Sequence, residues 1–492
     1  MVSERENRTG QIRSPEIHFV ANHLLVMTYL WIGAIVITPA VIFGLIVLKS
    51  KVEYPEKSLF YCFLNSCMIP LRLLRLGPFR HGKVSLDKAM KYAMRKTKLT
   101  DFGDMTFAES YSFITNTPSH QALKLTNLGH IMFRLELNMS MCRRLRFQQF
   151  LKDCPEVLNI RVPTPVFVMG LPRTGTTFLH RLLSLDPQVR APLLWELLSP
   201  VPGHTGAPNA TVFADDRLKR NKFVRKLIQD RESMGDRAME HIHEIGADLP
   251  EECLMVLSDE IPTHLSFLYS DYVHHDVFFS KIDFQRVKNA YLYYKKVLQL
   301  LSYQVGEAEN PRRYMLKCPI HLYYIKELAS AFPDAKLIWT HRHPVSAVPS
   351  LCSLVKAVHK VYYENNCRDD NAIGRGLTDL TAKTLKQAPQ DIIDSKLECS
   401  HVIYNDLVSN PIKVVKDIYA QFGWEFTTEY ENIINEYLAE DKKKRDDIKK
   451  AKGSKEQLHT YTAEEFGVQT QELMEGEFAA YVKKFNVPMS KN

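Results

Sequence analysis

No CxxC pair occurs in the 492-residue sequence, whose nine cysteines are scattered singly along the chain. That spacing argues against a zinc site, and the odd count gives no support to a disulfide framework. A strong charge bias is missing as well: 64 lysines and arginines stand against 56 acidic residues, a net charge of +8. The balance is too mild to imply nucleic acid without a clustered basic face, and suits an anionic small molecule or a membrane surface. No internal repeat is visible. The most telling absence is a single lysine. A nucleotide-triphosphate loop reads GxxxxGK followed by Ser or Thr; Gly170 and Gly175 have that separation, but Thr176 stands in the lysine's place. That lysine neutralises β/γ-phosphate charge beside magnesium. Its loss weighs against an ATPase or kinase.

What is present around that loop organises the chain. Val166–Met169 is an apolar, partly β-branched run that reads as a buried strand. A Gly- and Thr-rich turn follows, and from Thr177 the residues Phe178, Leu179, Leu182 and Leu183 recur at helical spacing. Strand, glycine turn and helix N-terminus together make an anion site, because unpaired backbone N–H groups and the helix dipole converge there. Further strands are expected at Tyr314–Lys317, Lys336–Arg342 and from Val402, with helices over His321–Phe332 and after Pro344. Asn410-Pro411 should cap and open a helix that Gly423 ends. The alternation predicts an α/β fold, a P-loop-type mostly parallel sheet flanked by helices. At 45% apolar content there is ample material for its core.

The N-terminal part reads differently. Residues 1–23 are polar, and Leu24–Leu48 runs 25 residues without a charge, long enough for one transmembrane helix acting as an uncleaved anchor. Residues 49–84 form a juxtamembrane segment in which Leu59–Leu71 is placed along the membrane interface, followed by Arg72, Arg75, Arg80 and Lys83. Residues 85–160 read as a helical preamble without a catalytic constellation, and 161–492 as the catalytic domain.

The turn PRTGTT between a strand and a helix resembles the 5′-phosphosulfate loop of sulfotransferases that use 3′-phosphoadenylyl sulfate (PAPS). The words WEL (Trp195–Leu197), IHEIGADLPEEC (Ile242–Cys253), LKCPIHL (Leu316–Leu322), HRHPVSAVPSLCSL (His341–Leu354), YNDLVSNP (Tyr404–Pro411) and HTYTAEEFGV (His459–Val468) are similar to the "sulfotransferase 3" branch of that family. The resemblance implies that Arg173, Thr174, Gly175, Thr176 and Thr177 hold the 5′-phosphate and sulfonate, and that Arg342 with Ser350 holds the 3′-phosphate. Lys317 is implied to contact the transferred group. The segment Lys452–Lys455 is the candidate for a basic flap over the 3′-phosphate. PAPS carries activated sulfur, so neither a metal nor a covalent enzyme intermediate is required.

Sulfuryl transfer needs an in-line acceptor oxygen, cationic stabilisation and a base. Glu196, flanked by leucines and tryptophan nineteen residues past the loop, is the first candidate base; His243, in HIHEIGAD, is the second. The acceptor is expected to be a glycan, a lipid or another small molecule. Sequons at Asn138 and Asn209, with the family likeness, lead to the expectation of a single-pass Golgi or ER protein with a luminal catalytic domain. The alternatives are a P-loop kinase or NTPase, and a non-catalytic membrane-anchored nucleotide-binding protein.

Overall fold

The computed structural model describes residues 59–79, 84–116, 125–203, 210–233, 244–262, 282–307, 311–364, 369–452 and 462–489. The chain divides into two compact units, Met1–Gly82 and Lys83–Asn492. In the first, the short helices Leu59–Cys67 and Ile69–Leu73 are followed by a 3₁₀ turn at Gly77–Phe79.

The expected membrane placement is corrected here. Among the described residues no helix is long and apolar enough to cross a membrane. Leu59–Cys67 has nine residues, about 14 Å at helical rise, half of a bilayer's core. The long helix Asn127–Asp153 carries Arg134, Glu136, Arg143, Arg144, Arg146 and Lys152 along its length. It also contains Asn138, so that sequon sits on a helix rather than on the surface loop a glycan acceptor needs. The span Leu24–Leu48 lies outside the described residues. The expectations of a membrane anchor and of a luminal Golgi or ER setting are therefore withdrawn.

The second unit is built on a parallel sheet. Its strands are β1 (Val166–Gly170), β2 (Val189–Arg190), β3 (Arg313–Lys317), β4 (Lys336–His341) and β5 (Glu398–Ile403). They are ordered β2-β3-β1-β4-β5, with every pairing parallel. The helices that position the site are α1 (Asn127–Asp153), α2 (Thr176–Leu183), α3 (Leu194–Leu198), α4 (Phe284–Gln304), α5 (Pro344–Tyr362) and α6 (Pro411–Phe422).

Strand side chains alternate between two cores. Phe167, Met169, Tyr314, Leu316, Leu337 and Trp339 face one. Val166, Val168, Met315, Ile338 and Val402 face the other, against Leu179, Leu182 and Leu183 of α2 and Ile418 and Tyr419 of α6. Both faces being covered explains why β1, β3 and β4 read as apolar runs. Each fully buried Val, Leu or Ile there contributes about 1.5–3 kcal/mol.

The termini of α6 follow the sequence signals: the Asn410 side chain accepts from the Lys413 N–H, and Gly423 takes the left-handed turn at φ +69°. Elsewhere the elements differ from expectation. His321–Phe332 is not one helix but a 3₁₀ turn, Pro319–Tyr323, and a helix, Ile325–Ala331. Strand β5 starts four residues before Val402, because Glu398 and His401 are exposed edge positions that hide its pattern.

The strand order fixes where a ligand can sit. From β1 the chain moves across β3 to β2, whereas from β4 it moves the opposite way to β5. The loops leaving the carboxyl ends of β1 and β4 thus diverge and leave a crevice, the usual ligand position of an open parallel sheet. Strands β2 and β3, which residues 191–312 connect, lie on the side of β1 away from β4.

Candidate active site

The loop after β1 is shaped by its backbone. Gly170 has φ +151°, and a Cβ there would lie 2.4 Å from Thr340 Oγ1 and 2.7 Å from the Thr340 carbonyl oxygen. Only glycine lets β1 turn this close to β4. Arg173 adopts φ +69° and Gly175 φ +88°, and Gly175 begins α2 without any side-chain cap. The first N–H groups of α2 have no partner within the helix. Thr174 is fully buried, and its hydroxyl donates to the Leu171 carbonyl and meets Thr340 Oγ1, both at 2.6 Å. Its side chain pins the loop to β4. Thr176 is buried and Thr177 half-buried in the first turn of α2.

Arg342, one residue past β4, joins this loop. Its Nη1 donates to the Arg173 carbonyl at 2.9 Å, and its guanidinium lies over the Tyr404 ring at 4.4 Å. Arg173 Nε in turn donates to Ser350 Oγ at 3.2 Å, where Ser350 sits in the second turn of α5. Three residues separated by up to 177 positions therefore meet at the crevice between β1 and β4. Tyr404 was missed as a site residue. It follows β5 directly, as Arg342 follows β4, and its ring also lies 3.1 Å from where a Gly175 Cβ would be. Its position just past a strand's carboxyl end was the available signal.

Lys317 closes β3 with no solvent exposure of its side chain. Its Nζ donates to Glu252 Oε1 at 2.7 Å and to Thr177 Oγ1 at 3.3 Å, linking the loop helix to the insertion. Burial works against the charged lysine, but the Glu252 and Glu251 carboxylates outweigh it and hold its pKa above the ordinary value. A backbone bond from the Cys253 N–H to the Lys317 carbonyl, 3.0 Å, fixes this arrangement. On the other side, Leu194 and Trp195 N–H groups donate to the Leu249 and Ala247 carbonyls.

Glu196 lies in that same zipped region, buried as its leucine-rich surroundings implied. Both of its oxygens are engaged: Oε1 accepts from Arg190 Nη2 at 2.9 Å and Oε2 from the Leu193 N–H at 3.0 Å. It therefore caps the first turn of α3 by accepting from the N-cap backbone N–H, while Leu193 has no side-chain acceptor to return the bond. His243 and the flap residues Gly453–Lys455 lie outside the described residues; Lys452 ends the helix Thr428–Lys452.

Two histidines and two cysteines are buried beside Lys317. Burial, with the Lys317 ammonium adding to it, pushes His180 and His321 down to about 3. Burial also raises the Cys253 thiol to about 12 and the Cys318 thiol well above its ordinary range. Neither thiol is an available nucleophile at neutral pH. The histidines make a testable contribution to stability. Unfolded, each binds its proton near the ordinary 6.5; folded, only near 3. Stability is thus complete above that unfolded value and is lost as pH falls towards the folded one, by up to about 1.4 kcal/mol per pH unit per histidine. Calorimetry from about pH 7 to about pH 5 should show a steadily falling Tm. A flat Tm across that window would contradict two neutral buried rings.

A glycine-bent loop enters a helix at the switch point of a parallel sheet, with threonine where a nucleotide-triphosphate loop has lysine and two arginines beside it, which is the architecture of an α/β protein with an anion-binding loop. The profile of the sulfotransferase family matches residues 165–428, over half of the chain, and the protein belongs to that family. It is an enzyme with sulfotransferase activity, and the family implies PAPS as the sulfonate donor. The omega-hydroxy-beta-dihydromenaquinone-9 sulfotransferase Stf3 of Mycobacterium bovis is 25% identical over 287 residues, 56% of this chain and 67% of its own. Its Mycobacterium tuberculosis counterpart matches to the same extent. Among solved structures, sulfotransferase STF9 of Mycobacterium avium shares the fold at TM-score 0.68 and 24% identity, covering 83% of this chain and 98% of its own. Sulfotransferase STF1 of Mycobacterium tuberculosis H37Rv aligns at TM-score 0.64 and 25% identity, covering 81% and 99%.

Proposed function

We propose that the enzyme moves the sulfuryl group of PAPS in line onto the hydroxyl of a small-molecule or lipid acceptor. The meeting of Arg173, Ser350 and Arg342 beside the N-terminus of α2 carries this reading. It offers two guanidinium forks at the crevice, one on the loop and one at the end of β4. A donor with phosphates at both its 5′ and 3′ positions suits such a pair, because arginine matches phosphate oxygens with two parallel N–H donors. Backbone N–H groups over Gly175–Thr177 would face the 5′-phosphate. Lys317, reaching Thr177 from β3, would face the sulfonate and offset the charge that spreads over its oxygens during transfer.

An alcohol acceptor is favoured because the mycobacterial relatives are named for an omega-hydroxy lipid substrate. The absent loop lysine disfavours the kinase alternative. One binding experiment separates the two: 3′,5′-ADP should raise the thermal midpoint without magnesium, and ATP with magnesium should not. Incubation with radiolabelled PAPS and a pool of glycans, sterols, phenols and peptides should then label an alcohol. Stabilisation by ATP-magnesium alone, with no labelled product, would defeat the proposal.

A further inference from the structure

We propose that Glu252 takes the proton from the acceptor hydroxyl, a role that rests on the sulfuryl-transfer reading. The Lys317–Glu252 pair has an inner cation and an outer anion: the lysine side chain is 0% exposed and the glutamate side chain 20%. A hydroxyl arriving from solvent meets the carboxylate first, one ammonium away from the first turn of the loop helix. Glu252 also has capacity to spare. Oε1 accepts from Lys317, whereas Oε2 has, among the described residues, a thiol contact from Cys318 Sγ at 3.6 Å and no stronger donor. The lysine ammonium has three donors, enough to hold Thr177, Glu252 and a sulfonate oxygen together.

The neighbouring described groups are each committed elsewhere. Glu196 is held through both oxygens by Arg190 and the Leu193 N–H. Glu251 is buried and accepts the Glu252 N–H at 2.8 Å. His321 Nδ1 is bonded to Tyr291 and His180 Nε2 to the Met315 carbonyl, both rings fully buried. Glu252 is the carboxylate that touches the Lys317 centre and still reaches solvent.

The step balances. The acceptor oxygen forms the new O–S bond, and the bond from sulfur to the bridging phosphate oxygen breaks, its electron pair leaving on 3′,5′-ADP. The hydroxyl proton moves to Glu252 Oε2, from where solvent removes it through the exposed face. Lys317 keeps its proton throughout.

The test compares the full-length enzyme with Glu252→Gln and Glu252→Asp, using radiolabelled PAPS and the pool alcohol that the wild type labels. 3′,5′-ADP affinity is measured by calorimetry in parallel. Glu252→Gln should lose at least about 100-fold in kcat while binding 3′,5′-ADP within about threefold of wild type. Glu252→Asp, which keeps a carboxylate beside Lys317, should retain more turnover than the amide. Turnover within about fivefold of wild type in Glu252→Gln would overturn the proposal. So would a loss of 3′,5′-ADP affinity matching the loss of turnover, since Glu252 would then act by holding the nucleotide site together and not by taking a proton. If Glu252→Gln does not fold, Glu252→Ala takes its place, and turnover within about fivefold of wild type in that variant overturns the proposal equally. A wild type that binds no 3′,5′-ADP overturns the underlying reading, and this step with it.

Discussion

Replacing Lys317 with methionine should lower sulfuryl transfer by about 10²–10³-fold and leave 3′,5′-ADP binding largely intact. The ammonium is fully buried and reaches Thr177 at 3.3 Å from the end of a central strand. Its placement costs nothing at the moment of reaction, because β3 and the Cys253–Lys317 backbone bond hold it beforehand. Stability will also fall, since the variant leaves the Glu252 carboxylate without its cation. Breaking a fully buried pair costs about 3–5 kcal/mol. The loss here should be smaller, because the Glu252 side chain is 20% exposed. Adding Glu252→Gln should recover part of the lost Tm and none of the transfer. Kinetics and thermal denaturation on the two variants separate the roles. Near-normal kcat in Lys317→Met would remove the lysine from the reaction and leave it as a structural counter-ion.

Arg342→Ala should weaken 3′,5′-ADP binding by about 10–150-fold, the worth of a charge-assisted hydrogen bond of about 1.5–3 kcal/mol. Two contacts fix this guanidinium before any ligand arrives: the Arg173 carbonyl and the face of Tyr404. A lysine in its place has neither the fork nor the flat face for stacking, so Arg342→Lys should behave nearly as poorly. The nucleotide 5′-AMP is the control. If Arg342 reads the 3′-phosphate, both variants should bind 5′-AMP as the wild type does. Equal weakening for both nucleotides would mean that the substitution merely lets the β1 loop relax.

The parts of the fold that were legible in the sequence are those buried on both sides. Val166–Met169, Tyr314–Lys317 and Lys336–His341 announce themselves because no position in them needs polarity for solvent. Strand β2 has two residues, too few to show any period, and Arg190 on it was therefore invisible as a partner for Glu196. The LLWELL setting told correctly that Glu196 is buried, but not that a strand six residues upstream supplies its counter-ion. The loop residues were legible because they are contiguous. The Arg342–Arg173 and Arg342–Tyr404 contacts were not, since neither leaves a local pattern. The sequon at Asn138 misled the reading of setting, because a three-residue pattern carries no sign that it lies within the long helix Asn127–Asp153.

The two arginines and the loop follow the carboxyl ends of strands β1 and β4, whereas Glu196 and Glu252 both come from the single stretch between β2 and β3. On the proposed reading, donor handling and acceptor handling come from separate lengths of polypeptide that meet at Lys317. Drift or recombination within residues 191–312 would then change what is sulfated without rewriting how the sulfate is delivered. A graft of that stretch between relatives is the natural unit for altering selectivity, provided it preserves the Lys317–Glu252, Arg190–Glu196, Arg143–Asp259 and Arg144–Glu260 pairs that tie the stretch to the rest of the domain.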